Sequence, residues 1–120
     1  MLATTAIAAA PETVTSFDEL KAAVAAAPTD KSETTIVLGS DIEFTGTINI
    51  SAGQNITIKD DGTARTISAP ESGASYSAFT VETGGTLTVK TSAPGNNDLL
   101  IFDGTHFNSS SSYTTGAVFT

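Results

Sequence analysis

The 120-residue sequence contains no cysteine, which excludes disulfide bonds, thiolate zinc sites and a cysteine nucleophile. Basic residues are also scarce, because five lysines and arginines stand against 13 acids and the formal net charge is −8. The basic residues are widely spaced, so the chain has no stretch that could follow a phosphate backbone. Nucleic acid and anionic membrane surfaces are therefore not expected as partners, and the acidity favours solubility.

Charged residues make up only 15% of the chain, against about 25% in an ordinary globular protein. The polar character comes instead from serine and threonine, which suits the half-buried positions of an extracellular β protein. The length is that of one domain or of part of one.

The first 13 residues are expected to be a leader that lies outside the folded region. They are small, apolar and mostly uncharged, and far shorter than the roughly 20 residues of a membrane span. The stretch resembles the end of a secretory signal, with Ala8 and Ala10 at Ala-x-Ala positions, although it lacks a basic n-region. We predict a signal-peptide remnant or disordered leader over 1–13. The folded region then spans 14–120 of a secreted or cell-surface protein and is truncated at its C-terminal end.

One amphipathic helix is predicted over Ser16–Ala27. Ser16 and Glu19 fit the S-x-x-E capping box, and Pro28 ends the helix. Its apolar stripe consists of Phe17, Leu20, Val24 and Ala27. So short a helix is not stable alone and needs a surface to cover.

After the helix the sequence predicts a succession of short strands separated by Gly, Asn and Asp turn signals. The predicted strands are Thr35–Leu38, Asp41–Phe44, Thr47–Ile50, Asn55–Lys59, Thr66–Ser68, Ala78–Val81, Thr86–Lys90, Leu99–Phe102 and Ala117–Thr120. Their centres recur about every 20 residues in two interleaved series. The first series is Ile36, Ile58, Phe79 and Ile101, and the second is Ile48, Ile67, Leu87 and Phe107.

This recurrence predicts two stacked parallel sheets, each receiving one strand from each repeat, with both series pointing to the interior. The helix would cover the apolar end of the first repeat. The strand predicted at Ala117–Thr120 would leave the other end open, to pair with further repeats or with another chain.

A resemblance to a known family is carried, in order, by SFDELKAAV, TIVLGSDIEFTGTINI, QNITIKDDG, SAFTVETGGTLTV and LLIFDGTHF. Over 14–120 the chain resembles the N-terminal part of a right-handed parallel β-helix, and is similar to pectate-lyase-like regions of large bacterial surface proteins of the adhesin type. The resemblance implies an all-β solenoid with an N-terminal capping helix. The repeat, the Thr- and Ser-rich strands, the acidity and the lack of a catalytic cluster predict a non-catalytic extracellular module without cofactor, either a stalk or an adhesin-like binding scaffold. The partner of such a scaffold would be an extracellular glycan or a host or matrix protein.

An enzymatic alternative is a fragment of a polysaccharide lyase, a glycoside hydrolase or a phage tail-spike-like protein. Pectate-lyase-like enzymes hold calcium with carboxylates and abstract a proton with Arg or Lys. Asp60 and Asp61 are the candidate calcium ligands, although Asp-Asp-Gly is also a common polar turn. Arg65, the sole arginine, has no acidic cluster beside it in sequence.

The remaining chemistry-bearing residues are scattered. A glycosidase would need a pair of carboxylates about 5 to 9.5 Å apart, and the candidates are Asp41, Glu43, Glu82 and Asp103. His106 is the only histidine and cannot form a multi-histidine metal site. We therefore predict no catalytic residues.

Overall fold

The computed structural model describes residues 11–70, 76–91 and 99–103. Over these ranges the chain forms one helix and nine short strands. In chain order they are β1 (Glu12–Val14), α1 (Phe17–Ala26), β2 (Glu33–Leu38), β3 (Ile42–Glu43), β4 (Ile48–Ile50), β5 (Asn55–Asp60), β6 (Arg65–Ser68), β7 (Phe79–Val81), β8 (Thr86–Lys90) and β9 (Leu100–Phe102).

The strands form three sheets in which every pair of neighbouring strands is parallel. The first sheet has four strands in the order β1-β2-β5-β8, the second has three in the order β3-β6-β9, and the third pairs β4 with β7. No two strands adjacent in a sheet are joined by a hairpin among the described residues, since each paired strand is reached only after strands of other sheets or the helix have intervened.

The expected fold class, an all-β right-handed parallel β-helix, is wrong. The described residues form a mixed α/β arrangement of one helix with three parallel sheets of unequal size, where two equal stacked sheets were predicted. The helix is also more than a cover over the end of the strands. Its buried side chains Leu20, Ala23 and Val24 belong to the same apolar cluster as the strand residues.

In the predicted first series of strand centres, only the first pair of residues lies side by side in a sheet. Ile36 lies opposite Ile58, as expected, but Val89 and not Phe79 follows in that row. Phe79 instead lies opposite Ile48 in the third sheet, so members of the two predicted series face each other. Equal spacing in sequence does not give equal position here, because the connections differ in length: 51–54 joins β4 to β5, whereas 69–78 joins β6 to β7.

The second series fails for the same reason. Leu87 lies opposite Ile56 in the first sheet and is only half-buried, whereas Ile67 belongs to the second sheet and is fully buried. Ile101, assigned to the interior by the first series, is 41% exposed. Phe107 lies outside the described residues.

The predicted helix start is confirmed, with a change in the capping bonds. The Ser16 Oγ atom accepts from the Glu19 N–H at 3.1 Å, as an N-cap should. The Glu19 carboxylate, however, accepts from the backbone N–H of Thr15 at 2.8 Å and not from that of Ser16. The helix ends at Ala26, two residues before Pro28.

The chain before the helix also forms part of the fold. Glu12 and Thr13, placed in the leader by the sequence, belong to β1, where Thr13 lies opposite Val37 of β2. Residues 1–10 and the strand predicted at 117–120 lie outside the described residues.

Within residues 11–70, 76–91 and 99–103, four phenyl rings cross the core in a row. The ring centroids of Phe17 and Phe44 are 5.0 Å apart, those of Phe44 and Phe79 are 5.3 Å apart, and those of Phe79 and Phe102 are 6.3 Å apart. All three contacts are edge-to-face, the arrangement that the ring quadrupole favours. The row links α1 to the second and third sheets.

Candidate binding groove and acidic cluster

The candidate calcium ligands Asp60 and Asp61 lie in different environments. Asp60 is the last residue of β5 and is fully buried, with its Oδ2 atom accepting from the Gly62 N–H at 2.8 Å. Asp61 is exposed, and its Oδ1 atom accepts from the Thr63 N–H at 3.2 Å. Over residues 11–70, 76–91 and 99–103, no group of three or more His, Asp or Glu side chains could hold a metal ion.

Arg65 lies in a charged cluster with Asp61 and Asp41 that was not predicted from the sequence. Its Nε and Nη2 atoms donate to the two carboxylate oxygens of Asp61 at 3.0 and 2.8 Å, which makes the ion pair bidentate. Asp41 lies near enough to add its charge, although it is distant in sequence, and its Oδ1 atom accepts from the Thr66 N–H at 2.8 Å.

The electrostatics of the cluster oppose proton abstraction by Arg65. The hydrogen bond from Arg65 lowers the pKa of Asp61 below its ordinary value. The same bond to Asp61, aided by the charges of Asp61 and Asp41, raises the pKa of Arg65 above its own. A raised pKa keeps the guanidinium charged, which makes Arg65 a poorer base.

The other acids named from the sequence lie on separate elements. Glu43 is the last residue of β3 and is exposed, Glu82 directly follows β7, and Asp103 directly follows β9. Glu82 accepts one hydrogen bond from the Asn49 side chain and one from the Ala52 N–H, so its carboxylate lies beside β4. His106 lies outside the described residues.

A groove of about 370 Å³ lies between α1 and β4, and we name it the α1–β4 groove. Its size is at the lower end of the range of ligand pockets in proteins. The lining residues are Lys21, Val24, Ala25, Thr29, Thr47, Ile48, Asn49, Ser51 and Gln54. The apolar members give it a floor, while a single cation and several hydroxyl and amide groups surround that floor.

Gln54 joins the two walls of the groove and is itself 4% exposed. Its Nε2 atom donates to the carbonyl oxygens of Val24 at 2.7 Å and Ala27 at 3.2 Å, at the C-terminal end of α1. Its Oε1 atom accepts from the Ser51 N–H at 2.9 Å, at the end of β4. Because both ends of the carboxamide are bonded, the separation of helix and strand is fixed here.

The side chain of Asn49 is held by neighbouring residues on the outer face of the third sheet. Its Oδ1 atom accepts from the Thr80 hydroxyl at 2.7 Å, and its Nδ2 atom donates to Glu82 Oε2 at 2.6 Å and to Ser51 Oγ at 3.4 Å. The Glu82 carboxylate accepts further from the Ala52 N–H at 3.4 Å. The Asn49 side chain is therefore fixed by the protein, and what it leaves for a ligand is its main chain.

The main chain of β4 is bonded on one side only among the described residues. Ile48 donates to the Ala78 carbonyl at 2.8 Å, and the Ile50 carbonyl accepts from the Glu82 N–H at 2.9 Å. In a parallel pair, alternate residues bond to the neighbouring strand and the residue between them points its N–H and C=O the other way. The peptide groups of Asn49 are therefore directed away from β7, and Asn49 lines the groove together with residues of α1.

Comparisons with protein-family models, with curated proteins and with solved structures gave no match for this chain. No helix in the described part of the chain combines the length and the apolar character that crossing a membrane requires. Function is therefore inferred from the α1–β4 groove and from the Asp41–Asp61–Arg65 cluster.

Sequence reasoning missed the groove because its lining residues come from three separate segments. One local signal was present, since Asn49 stands between Ile48 and Ile50, and this alternation predicts an outward polar residue on a half-buried strand. That signal does not show that the strand lies at a sheet edge, or that a helix packs beside it.

Proposed function

We propose that the chain is a non-catalytic binding module of a secreted or cell-surface protein, and that it recognises an extracellular glycan or a host or matrix protein at the α1–β4 groove. The groove itself carries this proposal. Its walls are fixed to each other by Gln54, and its rim offers one cation with hydroxyl and main-chain groups. Groups held in place before a ligand arrives lower the entropic cost of binding.

The composition supports the extracellular assignment. The chain has few charged side chains and is acidic overall, with an isoelectric point near 4.2. The resemblance of its segments to bacterial surface proteins of the adhesin type agrees with this assignment. The apolar leader agrees as well.

The enzymatic alternative has one feature in its favour, the juxtaposition of Arg65 with Asp41 and Asp61. The geometry of that cluster is that of a structural ion pair, because both Asp61 oxygens are taken by Arg65. The raised pKa of Arg65 also opposes a role as base. We therefore retain the binding function.

The test is to apply the purified chain to a glycan array and to an array of extracellular matrix proteins. We expect binding to a restricted set of spots, lost in Lys21→Glu and kept in Lys90→Glu. Both lysines are exposed, so the two variants change the net charge equally, but only Lys21 lines the groove.

Clean negatives on both arrays would reduce the chain to a spacer. Release of unsaturated or reducing sugars from acidic polysaccharides in the presence of calcium would replace the proposal with the enzymatic alternative. Equal loss of binding in both lysine variants would move the site away from the groove.

A further inference from the structure

We infer that the partner engages the α1–β4 groove as an extended peptide segment that adds alongside β4 and carries a carboxylate for Lys21. The inference rests on the proposed binding function and specifies the chemistry of the partner. It starts from Asn49, which lines the groove and whose N–H and C=O point away from β7.

A peptide is the complement of such an edge. In strand addition, main-chain bonds provide the affinity and alternate side chains the specificity. One residue of an added parallel strand can accept from the Asn49 N–H while the residue two positions further along donates to the Asn49 carbonyl. This pairing repeats what β7 already does with Ile48 and Ile50 on the other side of β4.

Helix α1 does not compete for these groups. Main-chain groups in the interior of the helix are used in its own hydrogen bonds, and Val24 and Ala25, the residues that line the groove, have no polar side-chain atoms. Near its C-terminal end, the carbonyls of Val24 and Ala27 accept from Gln54. The helix thus flanks the strand edge without satisfying it.

The side chains that line the groove favour a particular peptide. Ile48 and Val24 give an apolar floor for one residue, and Lys21 is the charged residue among the lining side chains. Charge complementarity therefore selects an acidic residue in the segment. A volume of about 370 Å³ and a three-residue strand admit only a few residues of peptide, so binding is weak and transient.

The experiment is an NMR titration of the ¹⁵N-labelled chain with N-acetylated, C-amidated pentapeptides of sequence Thr-Val-X-Val-Thr, in which X is Glu, Gln or Lys. We expect chemical-shift changes at Lys21, Ile48 and Asn49. The Glu peptide should bind about two- to fivefold more tightly than the Gln peptide, the range that an exposed ion pair supplies. The Lys peptide should bind most weakly.

Two variants of the experiment separate the main-chain and charge contributions. Strand addition uses the N–H groups of alternate peptide residues. N-methylation of the central residue and N-methylation of both valines should therefore have different effects. One pattern should abolish binding and the other should leave binding unchanged. In Lys21→Glu the order of the Glu and Lys peptides should invert, while Lys90→Glu should keep the original order.

Equal effects of the two N-methylation patterns, or shift changes remote from the groove, would overturn the inference. If no peptide binds while the arrays show Lys21-dependent binding to glycans, the partner is a saccharide and only the inference fails. If the arrays are also negative, the proposed function fails with it.

Discussion

The carboxamide of Gln54 donates from Nε2 to the carbonyl oxygen of Val24 at 2.7 Å, joining residues 30 positions apart in the chain. This bond connects the corner between β4 and β5 to the C-terminal end of α1. Carbonyls at a helix end lack the usual i+4 N–H donors, and Gln54 donates to those of Val24 and Ala27, the first of which also accepts from the Ala27 N–H at 3.1 Å. The same side chain therefore completes the helix and sets the width of the α1–β4 groove.

Replacing Gln54 with leucine should destabilise the protein by about 2–4 kcal/mol, although the two side chains are similar in size. The substitution leaves the Ala27 carbonyl and the Ser51 N–H, both bonded by Gln54, without that partner in a buried setting. Urea unfolding would measure the change. Gln54→Glu keeps an acceptor for the Ser51 N–H but puts an anion against two carbonyl oxygens. The stability lost in this variant should therefore become smaller in acid, where the carboxylate is protonated. A leucine variant of wild-type stability would show that these bonds contribute little.

Phe44→Ala should cost about 3–5 kcal/mol, the usual range for a buried phenylalanine. Phe44 is fully buried and makes edge-to-face contacts on both sides, with Phe17 and with Phe79. Phe102→Ala is the matched control, because Phe102 is only half-buried and its ring centroid is 6.3 Å from that of Phe79. Thermal and urea unfolding should show a clearly larger loss for Phe44, and equal losses would mean that the row is not a connected core.

Local features of the fold could be predicted from the sequence, and pairings between distant segments could not. The helix start follows from Ser16 and Glu19, which interact within one turn, and β8 was predicted with its observed bounds, Thr86–Lys90. Which strand lies beside which depends on the length and path of every connection. Phe79 was therefore placed beside Ile58, whereas it lies opposite Ile48.

The candidate site was less predictable than the fold. The Asp61–Arg65 pair is only four residues apart, but its geometry depends on the turn at Gly62, and Asp41 reaches it only through the pairing of β3 with β6. The groove likewise requires the placement of α1 beside β4. No periodicity within either segment encodes that placement.

Gly53→Ala should be more destabilising than Gly62→Ala, although both glycines have positive φ. The φ angles are +87° and +99°, so an alanine at either position carries the left-handed penalty of about 1–2 kcal/mol. At Gly53 an added Cβ would also clash with the Thr29 carbonyl oxygen, whereas at Gly62 it would meet nothing within 4 Å. Urea unfolding of the two variants would isolate the steric part, and equal losses would indicate that the loop at Thr29 moves freely.

The ion pair between Asp61 and Arg65 should contribute to stability at neutral pH and lose that contribution in acid. Arg65 lowers the pKa of Asp61 below its ordinary value, so the favourable interaction is complete above the unfolded-state pKa of about 3.9 and disappears as the pH falls through the lower folded-state pKa. Arg65, whose pKa is raised, stays charged throughout this range.

A double-mutant cycle of Asp61→Asn and Arg65→Gln, measured by thermal unfolding, would isolate this contribution. The coupling between the two positions should be constant from pH 7 to about pH 5 and vanish progressively below about pH 4. It should also weaken in 0.5 M salt, roughly the regime in which exposed charges are strongly screened, because both groups lie at the surface. A coupling that persisted unchanged to pH 2, or that grew on acidification, would mean that the carboxylate of Asp61 is not the group that Arg65 stabilises.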